Sequence, residues 1–153
     1  MRKYNIVFAS LLATAVAGAA YAQTTEQITK TPNEIEFKAP LRPDSPPGVV
    51  LYGDMAKAGM YVNRAKFPAG FKVMPHWHGE ERTVVILSGT LYVGVGESWD
   101  ETKMRAYPAG SFFSEPPKLP HYTWAKDGEV VLQVTGIGPA STTPIPTTQR
   151  TAK

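Results

Sequence analysis

His76 and His78 form an H-x-H pair within GFKVMPHWHGEERTVVILSG, residues 70–89. Side chains of an extended strand alternate between its two faces, so these two imidazoles share one face. The third histidine, His121, follows the proline-broken turn Glu115-Pro116-Pro117-Lys118-Leu119-Pro120. Three imidazoles converging from separate strands make a site for a divalent transition metal. The plainer reading is two hydrogen-bonded wall residues and a turn histidine. Ligation is favoured jointly, because all three histidines of the chain fall into this pattern and none is left over. The chain has no cysteine, which removes thiolate ligands, a cysteine nucleophile and disulfides. Imidazole and carboxylate donors remain, and they suit Fe, Mn, Zn, Ni or Co without distinguishing them.

Strands must hold these residues. Alternating or β-branched runs occur at Val49–Tyr52, Met60–Phe67, Phe71–His78, Thr83–Leu87, Leu91–Val95, Met104–Tyr107, Ser111–Ser114, His121–Ala125 and Glu129–Thr135. Glycine- and proline-rich turns separate them, and no stretch of the mature chain has a helical period. Short strands at such regular spacing describe a sandwich or barrel. Pro-Ala-Gly occurs at 68–70 and again at 108–110, each time before an aromatic strand and then a histidine. This repeat predicts two similar halves that wall one pocket. Trp77 must face away from its flanking histidines. Tyr92, Phe112 and Tyr122 are candidates to line the pocket, although core packing is the favoured role for each. Tyr61, Asn63 and Arg64 are weaker candidates.

The ends read differently. Arg2 and Lys3, the apolar run Ile6–Ala20 and Ala20-Tyr21-Ala22 have the order of a Sec-type signal peptide over 1–22, with Gln23 as the new terminus. Export places the protein in the periplasm or outside the cell, with no membrane attachment after cleavage. Losing Arg2 and Lys3 leaves 14 basic against 13 acidic residues, without a basic cluster, which argues against nucleic acid. Residues 23–47 are expected to form an extended arm, kept from helix by Pro40, Pro43, Pro46 and Pro47, that crosses the barrel or a partner subunit. Residues 139–153 are expected to be a flexible Pro/Thr-rich tail.

The central region resembles a cupin. Gly70, His76, His78 and Gly89 stand at the places of the first cupin motif, and Gly110, Pro116 and His121 at those of the second. Lys118 stands where the second motif has a later glycine, and Ala125 where it has an asparagine. GTLYVGVGESWDETKMRAYPAGSFFSEP and QVTGIGP are similar to a group of small bacterial cupins. The resemblance implies an all-β double-stranded β-helix, a jelly-roll barrel, over 48–138. It also implies one divalent metal on the histidines and a glutamate. Counted without gaps, the glutamate position holds Arg82; a turn one residue shorter places Glu81 there instead. The implied ligand set is His76, His78, Glu81 and His121; a three-histidine site is the main alternative, and Glu80 as the carboxylate or no metal are the others. Arg82 is expected to turn outward as a solvated or salt-bridged residue.

Three functions follow for a small-molecule site. One is a mononuclear metalloenzyme such as a dioxygenase. Another is a non-catalytic sensor or small-ligand binding cupin. A third, a metal-free isomerase-like cupin with histidine as base, fits the paired H-x-H poorly, since a base needs one histidine. Exposed strand edges also call for cover, so a homodimer is expected. Material isolated from outside the cytoplasm should begin at Gln23 and scatter light as a dimer; N-terminal sequencing that returns Met1, or a monomer at micromolar concentration, would contradict these expectations.

Overall fold

Alternation of apolar and polar residues over short runs dictates strands, and Gly and Pro stop them. A computed structural model of the chain describes residues 26–40 and 44–146. The leader expected at 1–22 lies outside the described residues. The strands are β1 (Gly48–Tyr52), β2 (Gly59–Phe67), β3 (Lys72–Trp77), β4 (Arg82–Ser88), β5 (Thr90–Val95), β6 (Arg105–Pro108), β7 (Phe112–Glu115), β8 (His121–Trp124), β9 (Val130–Gly138) and β10 (Thr143–Pro144). Single 3-10 turns occur at Pro32–Glu34 and Glu101–Lys103.

Two antiparallel five-stranded sheets, β1-β2-β9-β4-β7 and β10-β3-β8-β5-β6, face each other as a jelly-roll. Their inner faces carry residues at a period of two. Tyr61, Ala65 and Phe67 of β2, Val84 and Ile86 of β4, Leu91 and Val93 of β5, and Val130, Leu132 and Val134 of β9 are buried together. The repeated Pro-Ala-Gly builds the same turn twice. Phe71 N donates to Pro68 O and Ser111 N to Pro108 O, both at 3.0 Å. Gly70 and Gly110 take left-handed φ of 80° and 84°, a conformation that glycine adopts without steric cost. One turn launches β3 towards His76 and the other launches β7 towards Glu115.

The arm packs on its own barrel. Lys38 and Gly48 exchange backbone hydrogen bonds of 3.0 and 3.1 Å. The Lys66 ammonium lies 5.3 Å from the Phe37 ring centre. The described part of the segment expected as a flexible tail is built into the second sheet. Thr143 and Pro144 pair with Trp77 and His76 of β3. Ala140 N donates to Met55 O at 2.7 Å and Ile145 N to Pro75 O at 2.9 Å.

One close approach fixes how β2 packs on β9. Tyr61 of β2 and Gly136 of β9 are register partners. A Cβ on Gly136 would lie 2.6 Å from Tyr61 Oη and 2.7 Å from its Cζ. Gly136→Ala should therefore displace the Tyr61 ring and destabilise the fold by about 1–3 kcal/mol. An unchanged urea midpoint would contradict that packing.

Candidate metal centre

The end of β3 is out of step with β8. Lys72 pairs with Trp124 and Val73 with Thr123, but His76 pairs with His121, so β3 carries one extra residue. This bulge lets Val73 and His76, an odd number of residues apart, both line the interior. His76 and His121 become direct cross-strand neighbours with ring centres 4.3 Å apart. His78 completes the group, its ring 4.8 Å from His76 and 5.2 Å from His121. All three are buried, and one nitrogen from each lies within 4.8 Å of the others.

Each ring is held from behind. Nδ1 of His76 donates to Met74 O at 2.8 Å, that of His78 to Ser141 O at 2.8 Å, and that of His121 to Leu119 O at 3.0 Å. A carbonyl oxygen only accepts, so each Nδ1 carries a proton, and the neutral form of each ring has its lone pair on Nε2. Nε2 of His78 is buried without a hydrogen-bond partner. An orphaned buried acceptor is costly, and a metal ion would satisfy it. Burial, with the nearby His121, pushes the His76 pKa down to about 4; burial, with the Arg82 charge, pushes that of His78 down to about 3. Neutral imidazole is the form a metal requires. The donor set fits a divalent transition ion.

The backbone ties these rings to each other. Lys118 N donates to His78 O at 2.8 Å, joining the turn before His121 to the H-x-H segment. Lys118, at the motif's glycine position, takes the left-handed φ of 61° that a glycine would adopt readily. The Ser141 segment grips the other side. Gly79 N donates to Ser141 Oγ at 3.0 Å, and Ser141 N donates to the buried Glu80 at 3.0 Å. Glu80 also accepts from Tyr61 Oη at 3.1 Å. Burial, together with the Glu80 charge, outweighs the opposing Arg82 charge and pushes the Tyr61 pKa up to about 12.

Glu81, the glutamate of the implied ligand set, is exposed just before β4 and lies outside the three-histidine group. Arg82, expected to face outward, turns in because Val84 and Ile86 commit that face of β4 to the core. Its register partner across the β4–β7 ladder is Glu115, and the Arg82 Nε donates to Glu115 Oε2. The other carboxylate oxygen of Glu115 lies 3.3 Å from His121 Nε2. Burial raises the Glu115 pKa, but Arg82 and His121 outweigh it and leave it below the ordinary value. Glu115 and Ser141 were missed from sequence. Counting alternation from Phe113 finds Glu115; nothing local announces Ser141.

The cavity holds about 150 Å³. Its polar walls include the three histidines, Arg82, Glu115, Asn63 and Thr142; Phe67, Leu91, Phe113 and Leu132 are among the apolar ones. Asp44, Ser45 and Pro46 of the arm also line it. Tyr92, Phe112 and Tyr122 do not. Tyr92 Oη donates to Asp127 at 2.6 Å, Phe112 is exposed, and Tyr122 is buried with its hydroxyl on Asp100 O at 2.9 Å. Of the three weaker candidates, Asn63 alone is a lining residue.

No family model matches the sequence, and no curated protein matches it. Solved structures do resemble the fold. The polyketide cyclase RemF from Streptomyces resistomycificus aligns with a TM-score of 0.67 at 12% identity, over 81% of this chain and 89% of that one. An oxalate oxidase aligns at 0.57 and 20% identity, over 80% and 66%. An RmlC-like cupin from Shewanella frigidimarina NCIMB 400 aligns at 0.56 and 15% identity, over 73% and 91%. Two longer neighbours are spanned over only 40% and 46% of their length. Identities this low speak to the fold alone.

The buried neutral histidines set a pH dependence. Their folded pKa values lie below the 6.5 of the free side chain, so below that pH the unfolded chain binds protons that the folded one does not. Metal-free protein should be fully stable above about pH 6.5 and lose stability as the pH falls towards 4. His76→Asn/His78→Asn should flatten that slope in urea titrations; an identical slope in both proteins would contradict the burial.

Proposed function

We propose that this chain, a cupin by fold, holds one divalent metal on Nε2 of His76, His78 and His121. In this reading it is an exported, homodimeric metalloenzyme that acts on a small molecule in the cavity. One observation carries the metal reading: three backbone carbonyls fix the Nδ1 protons, leaving three lone pairs in one buried space.

When bound, such an ion would supply a Lewis acid at the cavity wall. The chain's own residues do the rest. The Met74, Leu119 and Ser141 carbonyls keep the rings aimed. Phe67, Leu91, Phe113 and Leu132 present apolar surface that limits water, and Asp44 to Pro46 narrow the space. Asn63 and Thr142 offer polar groups to orient a substrate. A metal site set in the wall of a small cavity with polar and apolar sides supports the catalytic reading over a binding module. The unpartnered Nε2 of His78 speaks against a metal-free isomerase, which has no use for it. The signal-peptide order of residues 1–22 in the sequence supports export. Exposed Met60 and Ile137, register partners on the first sheet, and exposed Phe112 support a second copy as cover.

Protein purified without a histidine tag should carry about one equivalent of metal per chain, and a chelator should lower its melting temperature. Metal at 100-fold over its Kd adds about 2.7 kcal/mol of stability. His121→Ala should abolish both effects. Protein that contains no metal, and whose melting is indifferent to added Fe, Mn, Zn, Ni or Co, would refute the reading.

A further inference from the structure

Glu115 lies beside the three-histidine group. His121 Nδ1 donates to Leu119 O, which leaves Nε2 to face Glu115. Glu115 Oε1 lies 3.3 Å from that nitrogen, and both side chains are buried, at 4% and 7% exposure. Two donors bound to one transition ion at about 2.0–2.2 Å stand roughly 3 Å apart, which is close to the spacing of this pair. A plain ion pair of the two has the same spacing, and metal affinity separates the two readings.

The rest of the wall fits the metal reading. Arg82 occupies Glu115 Oε2, which fixes the carboxylate and leaves Oε1 turned to His121. Arg82 also brings a positive charge into the cavity wall, which would oppose a divalent ion. Glu115 is its register partner and neutralises it. Glu81 is exposed and has no such placement.

We infer that Glu115 supplies the carboxylate donor of this metal centre through Oε1, with Arg82 holding Oε2, and that Glu81 takes no part. The donor reaches the cavity from β7, on the strand launched by the second Pro-Ala-Gly turn. This rests on the three-histidine metal site proposed above.

Co2+ affinity by chelator competition, together with the visible absorption of bound Co2+, tests the assignment without any assay of activity. Glu115→Gln should weaken Co2+ binding by about tenfold or more and change the spectrum. That variant leaves the half-buried Arg82 without its partner, so Arg82→Gln/Glu115→Gln serves as a second, uncharged version of the pair. The double variant should also bind at least about tenfold more weakly than wild type, and Glu81→Gln should leave affinity and spectrum unchanged. Wild-type affinity and spectrum in the double variant, or a comparable loss in Glu81→Gln, would overturn the assignment. If His121→Ala still abolishes binding in that case, the three-histidine site stands and only Glu115 is excluded. Wild-type protein that binds no Co2+ overturns both.

Discussion

Three hydrogen bonds from Nδ1 to backbone carbonyls underlie the whole site. An imidazole can present either nitrogen, and only its partner decides which. Here the partners are Met74 O two residues before His76, Leu119 O two residues before His121, and Ser141 O far along the chain from His78. Two of these bonds are local and come with the backbone that leads into each histidine. The third requires the chain to return after β9 and lie against β3. The fold is therefore committed to the site well beyond the strands that carry the ligands.

That commitment explains features that strand pairing alone does not. The β3 bulge sets His76 opposite His121. Lys118 adopts a left-handed backbone to reach His78 O. Glu80 is buried, yet both its oxygens are occupied, one by Tyr61 and one by Ser141 N. A buried carboxylate with such partners is a structural clamp. Its neighbour Arg82 does different work, since its pairing with Glu115 places a second carboxylate against His121.

Most of the architecture was legible, because apolar alternation and Gly/Pro turns are local signals. Strand limits read from Val49–Tyr52 to Glu129–Thr135 lie close to those of β1 to β9. The three histidines could be grouped because none was spare. The face of Arg82 was harder. TVVIL is apolar at every position after Thr83, so its alternation is hidden, and only the burial of Val84 and Ile86 reveals which parity is inward. Glu115 was read as part of a turn, although it ends β7. The Ser141 segment was unreadable in principle. Its value lies in contacts with His78, Gly79 and Glu80, made across more than sixty positions, and its Pro/Thr composition signals only a lack of helix.

The central claim is geometric: three Nε2 atoms address one ion. Diffraction from crystals of metal-loaded protein, collected at the absorption edge of the bound metal, tests it most directly. The account predicts one anomalous peak per chain, about 2.0–2.1 Å from Nε2 of His76, His78 and His121. A peak elsewhere, or imidazoles whose Nδ1 atoms point into the cavity, would contradict it.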